Sequence, residues 1–187
     1  MNPYEKCPVY ENENYLLRLL EPTDTADLLL VYSDEKAVPY FNGDNCHGDD
    51  FHYTTMERMS AAVDFWLLAY EQKAFVRWAI LDKKLSRAIG TIELFNRRAE
   101  DYFNDCGLLR LDLRSDYEQR ESIREILSLI APHAFELFGC RMIATKIPPY
   151  AACRREAAQS LGFTASGEKI IGADDGKVYG DYYVLLQ

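Results

Sequence analysis

Three strand-like runs follow one another with no helix between them: Val76 to Leu81, Ala88 to Leu94 and Gly107 to Leu113. The first two are joined by the charged turn Asp82-Lys83-Lys84, too short for the crossover of about a dozen residues that a parallel pair needs. They must therefore pair antiparallel. Amphipathic segments bracket the run on both sides, and helices placed there have to cover the sheet's two faces. A strict strand–helix alternation and an all-strand sandwich are both excluded.

The flanking pattern completes the order. Tyr15 to Leu20 reads as a strand ended by Glu21-Pro22. Thr23 is placed to cap a helix reaching about Ser33, with Ala26, Leu29 and Leu30 on its buried side. After a loop from Pro39 to Tyr53, dense in Asp, Asn, Gly and aromatic residues, a helix is predicted from Thr55 to Gln72. There Met59, Ala62, Val63, Trp66 and Ala69 recur at helical steps. A long helix is predicted from Ser122 to Phe138, closed by Gly139 as a left-handed cap, with Pro132 removing one backbone bond inside it at a cost of ~3 kcal/mol if unrelieved. Arg141 to Lys146 reads as a strand and Ala152 to Leu161 as a helix ended by Gly162. Two last strands, Glu168 to Ile171 and Tyr182 to Leu186, are joined through a turn at Asp174-Asp175-Gly176. The order β-α-α-β-β-β-α-β-α-β-β predicts one α/β domain over residues 1–187, three layers thick around a mostly antiparallel sheet.

Charge narrows the function. The chain carries 21 basic and 30 acidic side chains, a formal net charge of −9, which repels polyphosphate backbones and argues against nucleic-acid binding. Its five cysteines are scattered with no CxxC spacing, and no His/Cys cluster has metal-ligand spacing, so no metal and a reducing compartment are expected. Met1 to Tyr10 is polar, and no stretch approaches the ~20 apolar residues that cross a bilayer, which predicts a cytoplasmic protein without membrane attachment.

Several segments carry a resemblance. Leu113-Arg114-Ser115-Asp116-Tyr117 ends a strand just ahead of the long helix. Ile89-Gly90-Thr91-Ile92-Glu93-Leu94 forms an earlier strand, and Ser160-Leu161-Gly162-Phe163 closes a later helix. In this order and spacing they resemble the GNAT N-acetyltransferase superfamily. Ala134-Phe135-Glu136-Leu137-Phe138-Gly139 is similar to the branch of ribosomal-protein alanine and spermidine acetyltransferases. The resemblance spans about Tyr15 to Leu186. It implies a sheet splayed between its fourth and fifth strands, with helices on both faces, and acetyl-CoA as co-substrate. The pantetheine arm would lie along Leu111, Asp112 and Leu113. The pyrophosphate would face Gln119, Arg120, Glu121, Ser122, Ile123 and Arg124, because a helix N-terminus offers unpaired N–H groups and the positive end of a dipole.

The family's loop has Gln or Arg, then Gly, then Gly or Ala at positions that fall here on Glu118, Glu121 and Ile123. All three differ. Glycine lets a backbone approach phosphate closely, whereas Glu121 adds a carboxylate there and Ile123 a branched side chain. Arg120 and Arg124 flank the same turn and can offset the lost cradle. Ala151 and Arg154 stand where relatives often carry Asn and Ser, and Ala158 where other branches carry a proton-donating tyrosine.

For catalysis, Glu93 is the candidate base, with Ile92 and Leu94 on the opposite strand face, and Tyr150 or Tyr117 a candidate acid for the departing thiolate. Tyr40, Phe41 and Asp44 are placed to shape an acceptor pocket, aromatic and carboxylate groups suiting an amine. The acceptor is then an amine-bearing small molecule or a peptide N-terminus, and the acidic surface permits a homodimer. Two functions stay open on these residues: acetyl transfer from acetyl-CoA to a primary amine, or a binding module that keeps the fold with little or no turnover. An unrelated α/β fold is the third alternative.

Overall fold

Alternate residues of the central strands are apolar on one face and mixed on the other, and the sheet they build has two unlike sides. The computed structural model describes residues 2–187. Its strands are β1 (Tyr10–Glu11), β2 (Tyr15–Leu19), β3 (Val76–Asp82), β4 (Arg87–Arg97), β5 (Cys106–Leu113), β6 (Met142–Lys146), β7 (Thr164–Ala165), β8 (Ile170–Ile171), β9 (Val178–Tyr179) and β10 (Tyr182–Leu186). The helices are α1 (Thr25–Tyr32), α2 (Met56–Glu71), α3 (Arg120–Phe138) and α4 (Ala152–Ser160). The main sheet runs β1-β2-β3-β4-β5-β6-β10-β7. Every neighbouring pair in it is antiparallel except β5–β6. A parallel pair needs a crossover, and α3 supplies it.

The larger core lies on the α3–α4 side. Trp78, Ile80, Ile92, Leu94, Leu109, Leu111 and Leu113 from the sheet meet Ile123, Ile126, Leu127, Ile130 and Ala134 from α3 and Ala157 and Ala158 from α4. On the other side α1 and α2 pack Leu28, Val31, Tyr32, Met59, Val63 and Trp66 over the small residues Ala79 and Ala88. Gly90 lets β4 and β5 approach. A Cβ there would stand 2.1 Å from the Asp112 carbonyl oxygen, so only glycine fits without moving a strand.

The predicted elements are present, with local corrections. The α1 helix starts at Thr25 rather than after a Thr23 cap, because a short helical turn, Pro22–Asp24, precedes it and Asp24 accepts from the Glu21 N–H at 2.8 Å. Its buried stripe is Leu28, Val31 and Tyr32, while Ala26 and Leu30 face solvent. The long helix begins at Arg120, two residues before the expected start, and continues through Pro132. Asp174-Asp175-Gly176 turns between β8 and β9, a separate ribbon, and does not lead directly to the last strand. Among the described residues no helix is long and apolar enough to cross a membrane.

Candidate active site

On the α1–α2 face of the sheet, strand register sets charged residues side by side. Arg77 on β3 lies opposite Glu93 on β4, Glu93 opposite Arg110 on β5, and Thr91 opposite Asp112. Such directly opposed pairs interact most strongly across a sheet. The Arg77 Nη2 donates to one Glu93 oxygen, and Arg110 Nη1 donates to the other at 2.6 Å. Arg77 Nη1 donates to Tyr32 Oη and Thr91 Oγ1 at 3.0 Å each, and to Asp112 at 3.2 Å. Tyr32 donates to Asp112 at 2.8 Å. The Arg77 guanidinium, almost fully buried, also lies 4.1 Å over the Trp66 ring in a cation–π contact.

Burial opposes every charge in this ladder, and the partners decide the outcome. For Glu93 the two guanidiniums outweigh burial and hold the carboxyl below its usual range. For Asp112 burial prevails over Arg77 and the Tyr32 hydrogen bond, and its carboxyl is pushed up. Arg77 is fully charged, its pKa raised despite complete burial because Glu93, Tyr32 and Asp112 surround it.

Above the ladder is a cavity of about 820 Å³, walled by the loop from Asn45 to Tyr53, by Phe65 and Trp66 of α2, and by Phe75, Arg77, Glu93 and Arg110. Its volume is that of a small-molecule or peptide-end site. Three buried nitrogens on its wall have no hydrogen-bond partner: Arg77 Nε, Arg110 Nε and His52 Nε2.

At Arg110 the cavity meets a second feature. The β5–β6 ladder ends at Leu109–Thr145, so from Arg110 to Leu113 one edge of β5 has no strand beside it. Beyond this edge α3 begins at Arg120 after Gln119, which makes no side-chain cap, leaving the first N–H groups of the helix without a protein side chain to accept from them. An unpaired strand edge leading to an uncapped helix N-terminus is what an extended arm ending in an anion requires.

Near the start of α3 a buried ion pair joins the loop to α4. Arg154 of α4 donates from Nε to Glu118 at 2.9 and 3.2 Å and from Nη2 to the same carboxylate, while its Nη1 donates to the Tyr40 carbonyl at 3.0 Å. The two side chains are only 5% and 7% exposed. A void of about 10 Å³ lies beside the pair, among the core side chains Leu111, Ile123 and Leu127 and residues Thr145, Ile147 and Arg154.

The expected site residues fall in different places. Leu111 and Leu113 turn their side chains into the α3 core and Asp112 turns to the ladder, so only their backbone faces the cleft. Gln119, Arg120, Glu121 and Arg124 are exposed at the start of α3, Ser122 is half-buried and Ile123 is fully buried against the sheet. Glu93 lies in the cavity floor with both oxygens taken. Tyr150 is 61% exposed, its hydroxyl donates to the Pro39 carbonyl, and its ring stands edge-on to Tyr40 at 5.7 Å. Tyr117 donates to Asp82 at 2.7 Å. Phe41 packs on Tyr32. Asp44 does not offer a free carboxylate to an amine: Lys146 Nζ donates to it at 2.6 and 2.7 Å and Tyr182 at 3.0 Å. Sequence reasoning gave no role to Arg77 or Arg110 and set Arg154 down only as a departure. A charged residue alternating with apolar ones inside a buried strand, as in Val76-Arg77-Trp78, was the available signal.

Comparison with known proteins agrees with this geometry. A family model described as an acetyltransferase (GNAT) domain matches residues 14–164. No curated protein matches in sequence. Among solved structures, the ribosomal-protein-S5-alanine acetyltransferase from Vibrio fischeri superposes with a TM-score of 0.69 at 17% identity, over 95% of this chain and 94% of that one. A GNAT-family acetyltransferase from Bacillus anthracis gives 0.69 at 15%, over 96% and 98%. A ribosomal L7/L12 α-N-protein acetyltransferase solved in complex with coenzyme A gives 0.68 at 14%, over 96% and 98%. These likenesses show a shared fold.

Proposed function

Since the chain belongs to the GNAT acetyltransferase domain family and is an acetyl-CoA-dependent N-acetyltransferase, we propose a division of its site into a cofactor cleft along β5 and an acceptor chamber over the Arg77–Glu93–Arg110 ladder. The observation that carries this reading is the junction at Arg110, where the unpaired β5 edge and the chamber meet.

The fit of acetyl-CoA to the cleft is chemical rather than volumetric. Free main-chain groups of Arg110 to Leu113 suit the amides of a pantetheine arm, and the N–H groups of Arg120, Glu121 and Ser122, with the Arg120 and Arg124 guanidiniums, suit a pyrophosphate. Glu121 points a carboxylate at solvent on the same turn and weakens that site without blocking it. When bound, the thioester supplies the acetyl group. The chain's part is to orient the acceptor nitrogen over Arg110, exclude water and take up a proton. Glu93 serves there as the fixed counter-charge of the two arginines, since a carboxylate with both oxygens bonded and its pKa held low is a poor base. His52 lines the chamber, and its Nε2, buried without a partner, must turn toward the acceptor to receive the proton. Tyr150 stands at the cleft mouth and reaches a leaving thiolate only by giving up its bond to Pro39.

The acceptor is a primary amine. The chamber's width and aromatic wall, together with the protein-N-terminal acetylation named for a structural neighbour, favour the end of a peptide over a small polyamine. The test is acetyl-CoA turnover with a panel of N-terminal peptides and polyamines. Turnover with peptides at saturating acetyl-CoA supports the reading, and turnover confined to polyamines or absent altogether sinks it.

A further inference from the structure

We propose that Arg154 is a phosphate ligand for the cofactor, held in reserve by Glu118, whose carboxylate occupies on the guanidinium the place that a cofactor phosphate takes. The inference rests on the reading that acetyl-CoA enters between β5 and β6.

A carboxylate and a phosphate present the same pair of oxygens to the planar fork of an arginine, so one can replace the other with little rearrangement. Glu118 immediately precedes Gln119, the N-cap residue of α3. An anion exchanged for its carboxylate therefore sits beside the free N–H groups of the helix and at the positive end of its dipole. Arg154 approaches from the opposite wall. Its helix is anchored by the buried neighbours Ala157 and Ala158, so the guanidinium is delivered to the cleft from a fixed backbone.

Exchange is required rather than simple addition. The Nε and Nη2 groups of Arg154 are already taken by Glu118, so a phosphate reaches that fork only where the carboxylate leaves it. Expelling Glu118 alone would leave a nearly buried guanidinium with no counter-charge and only the Tyr40 carbonyl to accept from it, which is strongly unfavourable. The incoming anion and the outgoing carboxylate must therefore trade places. The Arg154 Nη1 bond to the Tyr40 carbonyl is not part of the trade and keeps the guanidinium in place while the anions change.

The experiment is titration calorimetry of coenzyme A and of pantetheine, which lacks the pyrophosphate, into the wild-type chain and the E118Q, R154Q and R154K variants, each checked by thermal melting. E118Q is expected to bind coenzyme A about tenfold more tightly, and R154Q about tenfold more weakly, with R154K between R154Q and wild type. Pantetheine affinity should change by less than about threefold in R154Q, since it brings no phosphate to the fork. If R154Q does not fold, the R154K comparison and E118Q decide. Coenzyme A binding that is unchanged or tighter in R154Q or R154K overturns the exchange, as does an equal loss for both ligands. If no variant and no wild-type sample binds coenzyme A, the cofactor route itself is wrong and the exchange falls with it.

Discussion

On the α1–α2 face the site has a chamber of about 820 Å³ over a floor of interlocked charges, whereas beyond the β5 edge a single buried ion pair, Glu118–Arg154, ties the loop before α3 to α4. Both regions bury arginine–glutamate pairs, but they bury them differently. Glu93 is gripped from two sides by residues of adjacent strands, and Arg77 satisfies four partners at once. Glu118 belongs to a loop and meets a single arginine from a helix. A network fixed by strand register is costly to open, and a pair bridging a loop to a helix is the part that can move. The chamber floor is therefore rigid before anything binds, and the loop-to-helix pair is where change is cheapest.

The largest effect should follow from breaking the ladder. R77M leaves Glu93 and Asp112 buried without their shared cation and is expected to lose about 3–5 kcal/mol of stability in denaturant melts. A loss below about 1 kcal/mol would mean the chamber floor is not what holds this face together. Acid denaturation separates the two carboxylates next. Glu93 has its pKa depressed below 4.5, so its contribution is present above that pH and lost as pH falls through its folded value. Asp112 is raised above 3.8, so its ionisation costs stability as pH rises through its folded value. Stability measured from neutral pH downwards should therefore fall less steeply in E93Q than in wild type, while D112N keeps the acid limb. An unchanged limb in E93Q would contradict the ladder.

On the cofactor side, replacing both members of the Glu118–Arg154 pair by leucine is expected to shift stability by only about 1 kcal/mol, since an apolar pair of similar volume substitutes well for a buried ion pair. The same protein should lose coenzyme A affinity in calorimetry. The smallest structural effect belongs to the rim. Phe65 is 60% exposed, and F65A should stay within about 0.5 kcal/mol of wild type while raising the acceptor KM about threefold at unchanged kcat.

The contrast between the two regions was only partly legible in the chain. The α2 stripe from Met59 to Ala69 and the strands from Val76 to Leu113 were readable because local periodicity dictates them. Two of the three expected α1 core positions, Ala26 and Leu30, face solvent, because a short helical turn shifts the start of that helix, while Leu29 packs against the core. The charged ladder depends on which residues of three separate strands come to lie opposite one another, and register of that kind is set by tertiary pairing. Asp44 looked available because Lys146 and Tyr182, its partners, lie more than a hundred positions away. Glu118 and Arg154 were visible as departures from a family loop, but their contact with each other was not, because it joins a turn to a helix across a crossover.

The measurement that bears most directly on the cleft is hydrogen–deuterium exchange with and without saturating coenzyme A. Slower exchange is expected in residues 110–124 and 145–155, with no change along the chamber loop from 45 to 53. Protection confined to that loop, with residues 110–124 unaffected, would show that coenzyme A enters elsewhere and that the Glu118–Arg154 pair is only a structural plug.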